Sequence, residues 1–234
     1  MKEFLISPPF GNFLSHPKCS SVMGTYTLER RGGWPMKLYR AALTVRPIEG
    51  GWVNNIGLQN PGIKSVKKFN PEKIYSIAAI QPEDWDGLIE YIPKETMLEL
   101  NVSCPNVLEK HDISDEQITA YLNKFPTVIF KLSPTDGIGR QIDRLVDLGA
   151  TYIHIANAMP TARGGESGAR LKEFSLKHIK ATREKYPDLK IVGGGGIYST
   201  QDIELYKAAG ADHFSLASIW FTPWKATHLL KKFK

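Results

Sequence analysis

The sequence predicts an α/β fold, a (β/α)8 barrel whose first βα unit is abbreviated. Three observations carry that expectation. From residue 71 onward, strand-like and helix-like segments alternate six times, the pattern of parallel strands joined by helical crossovers. The strand-like segments are near-continuous apolar runs, as when both faces are buried. Polar and glycine-rich residues gather just past their ends, at Ser103-Cys104-Pro105-Asn106, Ser133-Pro134, Asn157 and Gly193 to Gly196, and in a barrel those ends form the active face. A doubly wound open sheet is the alternative. It places its glycine-rich loop after the first strand, whereas here the cluster follows the seventh.

Each element has a local reason. FLISPP (4–9) and SVMGTYT (21–27) read as the first two strands. The few residues between them leave little room for a crossover helix. ERRGGWPMK reads as a loop and WVNNIGLQNPG (52–62) as an excursion onto the top of the barrel. KIYSIAAI (73–80) is a strand, and PEDWDGLIEYIPK (82–94) a helix with Pro82 in its first turn. TMLELNV (96–102) is a strand, and SDEQITAYLNKF (114–125) a helix capped by Ser114 and stopped before Pro126. TVIFKLS (127–133) is a strand, and GRQIDRLVDLGA (139–150) an amphipathic helix closed by Gly149. TYIHIANA (151–158) is a strand followed by the RGGESGAR loop and a helix over 175–187. KIVGGG (190–195) is a strand, STQDIELYKAAG (199–210) a helix capped by Ser199, HFSLAS (213–218) the eighth strand, and PWKATHLLKKFK a closing helix.

The bulk numbers fit one domain over residues 1–234. Composition is 42% hydrophobic and 23% charged, ordinary for a soluble globular chain. No run approaches the roughly 18 apolar residues of a membrane span. The start, MKEFLISPPFGN, breaks at Pro8-Pro9 without the h-region and cleavage site of a signal peptide. A cytoplasmic chain is therefore expected. Net charge is +6, but the lysines are scattered and no basic-aromatic stripe appears, so neither nucleic acid nor membrane is expected as a partner. Cys19 and Cys104 lie far apart with no CxxC spacing, which points to reduced thiols.

Several residues could carry chemistry. Gly193 to Gly196 precede the Ser199-capped helix, where unobstructed N–H groups bind phosphate; the other reading is a flexible tight turn. Ala217-Ser218 would complete the cradle, and GGESG before a helix would add a second phosphate loop or a lid. Lys131 interrupts an apolar strand; it is either an exposed lysine or a charge reaching a ligand. Asn54, Asn101, Asn106 and Asn157 are turn residues one by one, or together a clamp for a small planar polar ligand. Cys104 is a small core residue or a general base. None of the six histidines has the spacing of a Cys–His dyad or a metal site.

Taken together, LELNVSCPNV, FKLSP, IANA…RGGESGARLKEFSL, IVGGGGI and GAD-HFSLAS, with ERRGGWP…WVNNIGLQNPG upstream, resemble the dihydroorotate dehydrogenase family in its soluble, cysteine-base class. The related tRNA dihydrouridine synthases also set a cysteine over FMN, but the motif around it differs from NVSCPN. The resemblance implies a barrel holding FMN that oxidises dihydroorotate to orotate for pyrimidine biosynthesis, a base removing the C5 proton while hydride passes to the flavin. It assigns the base to Cys104. It assigns substrate contacts to Asn54, Ile56, Gly57, Leu58, Asn101, Asn106 and Asn157. Cofactor contacts fall on Thr25, Asn101, Lys131, Gly168, Gly195, Gly196, Ala217 and Ser218. It further implies a homodimer and a reoxidising acceptor, either fumarate or an electron-transfer partner subunit; a quinone partner is disfavoured because the family's apolar N-terminal helix is not seen.

Three departures stand beside the resemblance. Gly24 falls where the family has a lysine near flavin and substrate carboxylate, so Lys18, Arg30 or Arg31 would have to substitute. Ala158 falls where a small hydroxyl residue is usual. The chain is also shorter than the family norm, trimmed in the first crossover and between Asn157 and Gly164. The first two keep another dihydropyrimidine or an enoyl compound in play as substrate. The missing lysine and the shortened first unit allow a degenerate barrel without redox turnover.

Overall fold

The computed structural model describes residues 1–32, 43–103, 113–156 and 158–233. Eight parallel strands close a barrel: β1 (Phe4–Ile6), β2 (Cys19–Tyr26), β5 (Ile74–Ile77), β6 (Met97–Asn101), β7 (Thr127–Leu132), β8 (Tyr152–Ile155), β11 (Lys190–Gly194) and β12 (His213–Leu216), with β12 pairing back onto β1. Around it run α1 (Asp84–Tyr91), α2 (Asp115–Lys124), α3 (Ile138–Asp147), α4 (Leu171–Lys185), α5 (Thr200–Ala209) and α6 (Pro223–Lys231). The strand-helix rhythm of the sequence is thus the barrel it predicts. Ser114 and Ser199 cap α2 and α5 through reciprocal bonds with Gln117 and Asp202, satisfying N–H groups that a first helical turn leaves without partners. Gly149, at φ +95°, follows α3 in the left-handed region. Between β1 and β2 there is one 3-10 turn, Phe10–Asn12, in place of a crossover helix, as the short connection predicts.

Two features depart from the sequence reading. The segment read as a loop or lid after the sixth barrel strand forms β9 (Met159–Thr161) and β10 (Gly164–Gly168), and α4 starts at Leu171, earlier than predicted. The upstream excursion opens on β4 (Gly51–Asn54), with β3 (Arg46–Ile48) just before it. These four make one antiparallel sheet in the order β3-β4-β10-β9. Glycine gives strands no side chain to pack, so GGESG carries no local strand signal; its pairing with β4 supplies the structure.

The barrel interior is layered. Leu5, Val22, Ile74, Ile129 and Val192, each 0% exposed, form an apolar plug. Two residues further along the same strands, and so on the same face, stand Ser7, Gly24, Ser76, Lys131 and Gly194. Register sets Glu99 beside Ser76, and His154 beside Lys131. The inner faces of the strands are therefore not apolar throughout. The plug is, and the layer above it is polar because it floors the carboxyl-end cavity. The larger apolar cluster lies between barrel and helices, with Phe130, Tyr121, Tyr206 and Phe214 among its buried members. Among the described residues, no helix is long and apolar enough to cross a membrane.

Candidate active site

One cavity opens at the carboxyl ends of the strands. Its lining includes Thr25, Asn54, Ile56, Leu58, Asn101, Lys131, Gly168, Gly195, Gly196, Ala217 and Ser218. These are the described residues that the sequence resemblance assigned to a site, save Gly57, which lies buried between Ile56 and Leu58 without lining the cavity. Cys104, Asn106 and Asn157 lie outside the described residues.

The glycine wall is shaped by α5 and α4. Tyr206 on α5 is buried, and its hydroxyl lies 2.7 Å from the carbonyl oxygens of both Gly194 and Gly195. A trans peptide directs N–H opposite to C=O, so drawing the Gly195 carbonyl outward to α5 turns the Gly196 N–H toward the cavity. Gly196 has φ +69°, and a Cβ there would stand 2.6 Å from Ala169 Cα. Only glycine lets these two loops approach so closely. Ser218 meets Tyr198 by a 2.7 Å hydroxyl contact, fixing the loop after β12.

The adjoining wall is aromatic. Trp52 stacks on Phe221 at 4.4 Å, and Phe10 meets Phe221 edge-on at 5.0 Å. The loop carrying Leu58 is held by Asn60, which the sequence reading passed over. Its Oδ1 accepts from the backbone N–H groups of Thr27 and Gly62, and its Nδ2 donates to the Leu58 carbonyl at 2.6 Å. Leu58 has φ +54°, a conformation costly for a branched side chain, and the Asn60 bonds hold it there.

The floor carries the charge. Lys131 is the one charged residue in the described lining. Its Nζ lies 3.6 Å from Glu99 Oε1, while His154 Nδ1 meets Glu99 Oε2 at 2.7 Å. Glu99 and His154 are 0% exposed, and Lys131 is 8% exposed. Burial alone would raise the Glu99 carboxyl; the Lys131 charge and the hydrogen bonds from His154 and Ser76 outweigh it and hold it down at about 2. Burial lowers His154 against the pull of Glu99, so the imidazole stays neutral. A carboxylate only accepts, so His154 carries its proton on Nδ1. Neither Glu99 nor His154 was picked out by the sequence reading, although Glu99 alternates in phase with Asn101, which was.

Hydroxyls lace the strand tops together. Ser103 Oγ donates to the Lys131 carbonyl at 3.0 Å, and Ser133 Oγ lies 3.1 Å from the carbonyl oxygens of both Ser103 and Ala158. Gly24 lines the cavity with φ +105°, and a Cβ there would stand 2.5 Å from the Ser76 carbonyl oxygen. None of the three cations expected to substitute for the family lysine lines the cavity. Lys18 bonds the Leu230 carbonyl, and Arg30 the Gly32 carbonyl. Cys19 is buried, its thiol pushed up to about 12 by burial, and is no reagent. Among the described residues, no cluster of three metal-binding side chains occurs.

The family model described as dihydroorotate dehydrogenase matches residues 18–233. The catalytic subunit of dihydroorotate dehydrogenase B (NAD(+)) from Staphylococcus carnosus is 25% identical over 76% of this chain and 68% of its own. Its counterpart from Oceanobacillus iheyensis is 27% identical over 84% and 78%. A crystal structure of ligand-free dihydroorotate dehydrogenase from Eimeria tenella superposes with a TM-score of 0.77 at 17% identity, covering 98% of this chain and 82% of that one, a likeness of fold. A parallel barrel closed from eight strands, with a cavity at their carboxyl ends and a match running almost end to end, leads to one conclusion: the chain belongs to the dihydroorotate dehydrogenase family, flavin oxidoreductases that act on a CH–CH bond.

Proposed function

We propose that the chain oxidises dihydroorotate to orotate, with FMN in the carboxyl-end cavity and Cys104 as base. The observation that carries the reading is the convergence of Asn54, Ile56, Leu58, Asn101, Lys131, Gly168, Gly195, Gly196 and Ser218, drawn from widely separated segments, on one cavity. The donor set suits FMN. The Gly196 N–H, the close-packed loop beside it and the Ser218 hydroxyl offer uncrowded donors for a phosphate. Trp52, Phe221 and Phe10 offer an apolar wall for an aromatic ring system, and Lys131 offers a cation.

When bound, FMN supplies a two-electron acceptor for the hydride leaving C6 of the substrate. The chain supplies the rest. Cys104 takes the C5 proton as the C–H bond breaks, so a proton and a hydride leave and a C=C bond forms. Asn54 and Asn101, with Asn106 and Asn157, hold the planar amide edge of the substrate. The Leu58 backbone, locked by Asn60, closes over it. The aromatic wall keeps water from one side of the cavity.

The test is an absorbance spectrum of the purified protein, before and after anaerobic dihydroorotate. A flavin band that bleaches supports the reading; a colourless protein overturns it. Cys104→Ala should lose activity by about a hundredfold or more while flavin stays bound, as expected for removal of a general base. An unchanged rate removes Cys104 from the role.

One observation favours a second reading. Gly24 cannot carry a side chain without displacing the Ser76 carbonyl, and Lys131 is the single charge in the described lining. A dihydropyrimidine lacking the carboxylate, or an enoyl compound, would not need the missing cation. Titration of the oxidised protein with orotate against uracil separates the two: tighter orotate binding supports dihydroorotate.

A further inference from the structure

Three neighbouring strands bring Glu99 (β6), Lys131 (β7) and His154 (β8) together inside the barrel. The proposed reaction uses Lys131 and leaves the other two without a role. Burying a carboxylate completely is expensive unless it is paired and hydrogen-bonded, so a fully buried glutamate beneath the cavity calls for a purpose.

The two carboxylate oxygens are used differently. Oε2 takes the His154 Nδ1 hydrogen bond at 2.7 Å, while Oε1 faces Lys131 Nζ at 3.6 Å. The second distance is an ion pair and too long for a hydrogen bond. Glu99 thus balances the Lys131 charge without occupying the ammonium's N–H donors, which remain for whatever fills the cavity. His154, held to Glu99 from the far strand, keeps the carboxylate from turning fully onto the lysine.

We propose that Glu99 and His154 are positioning residues: Glu99, oriented by His154, keeps Lys131 charged in a dry site and presents its ammonium to the bound cofactor. The proposal rests on the FMN reading above. Lys131 meets Glu99 from β6 and acts on His154 from β8; Ser76 from β5 bonds Glu99, and Ser7 and Ser215, bonded to each other, line the same cavity as Lys131. No other charged side chain among the described residues acts on the Glu99–His154 pair.

Two measurements test it. The first is thermal unfolding of flavin-free protein in a double-mutant cycle of Glu99→Gln and Lys131→Met, which needs no cofactor. Each single variant strands a buried partner and should unfold at lower temperature; the double variant should recover much of the loss. Additive losses would overturn the pairing. The second is flavin release from the holoenzyme against pH, read from free-flavin fluorescence. Wild type should hold FMN alike at about pH 7 and about pH 9, whereas Glu99→Gln should weaken it by about tenfold more at the higher pH, because a buried ammonium without its carboxylate gives up its proton easily. His154→Leu should shift the same way by a smaller factor, through a misdirected carboxylate. A Glu99→Gln profile parallel to wild type would overturn the role toward the cofactor even with the pair coupled. A wild-type protein that carries no flavin would overturn the cofactor reading and this role with it; the unfolding cycle would still decide the pairing.

Discussion

Gly24 concentrates the chemistry of this chain in one missing side chain. Restoring the family's cation as Gly24→Lys would put a Cβ 2.5 Å from the Ser76 carbonyl oxygen in a residue at φ +105°. The variant should therefore be less stable than wild type, by about 1–3 kcal/mol in denaturant melts, and should lose flavin rather than bind it tighter. Tighter orotate binding with unchanged stability would show that the backbone at β2 can relax. Glu99 and His154 both contribute to the acid limit of the fold. The Glu99 carboxyl is lower folded, about 2, than its ordinary 4.5. Its stabilisation is thus present above 4.5 and lost as pH falls toward 2. His154 is also lowered on folding; the unfolded chain takes up its proton first, so this residue too weakens the fold as pH drops below its ordinary 6.5. Equilibrium unfolding between about pH 7 and pH 3 should show falling stability, with a shallower acid slope in Glu99→Gln.

Among the elements, the helix caps were legible and the added sheet was not. Ser114 and Ser199 act through bonds within four residues of chain, which is why sequence alone locates them. Ser199→Ala should cost about 1 kcal/mol and, since α5 carries Tyr206 against Gly194 and Gly195, should also raise the FMN dissociation constant modestly in a fluorescence titration. Unaltered binding would separate the cap from the glycine wall. Strands β9 and β10 were read as a loop because nothing local marks them: β9 holds Pro160 and β10 holds Gly164, Gly165 and Gly168, residues depleted from strands, and β4, which pairs with β10, is distant in sequence. The polar layer was half legible. Lys131 stood out in an apolar run, and Glu99 did not, because it was read only as part of the LELNVSCPNV motif around Cys104.

For the molecule as a whole, the barrel separates stability from ligand binding by height. Ile129 lies in the apolar plug and Lys131 on the cavity floor, two residues apart on one strand. Ile129→Ala should cost about 2–5 kcal/mol while leaving flavin content per folded molecule unchanged, measured by urea melts and the ratio of flavin to protein absorbance. The sheet above the barrel answers to a different constraint. Asn54 on β4 contacts Gly165 on β10, 111 residues further along, so two sides of the cavity share one hydrogen-bonded sheet. For a chain made from its N-terminus, that order matters. β4 leaves the ribosome early and must wait, its edge open, until nearly half of the protein has been added. This side of the cavity is completed only when a strand made much later arrives, and for that interval the nascent enzyme is exposed to mispairing at the edge that β10 will cover.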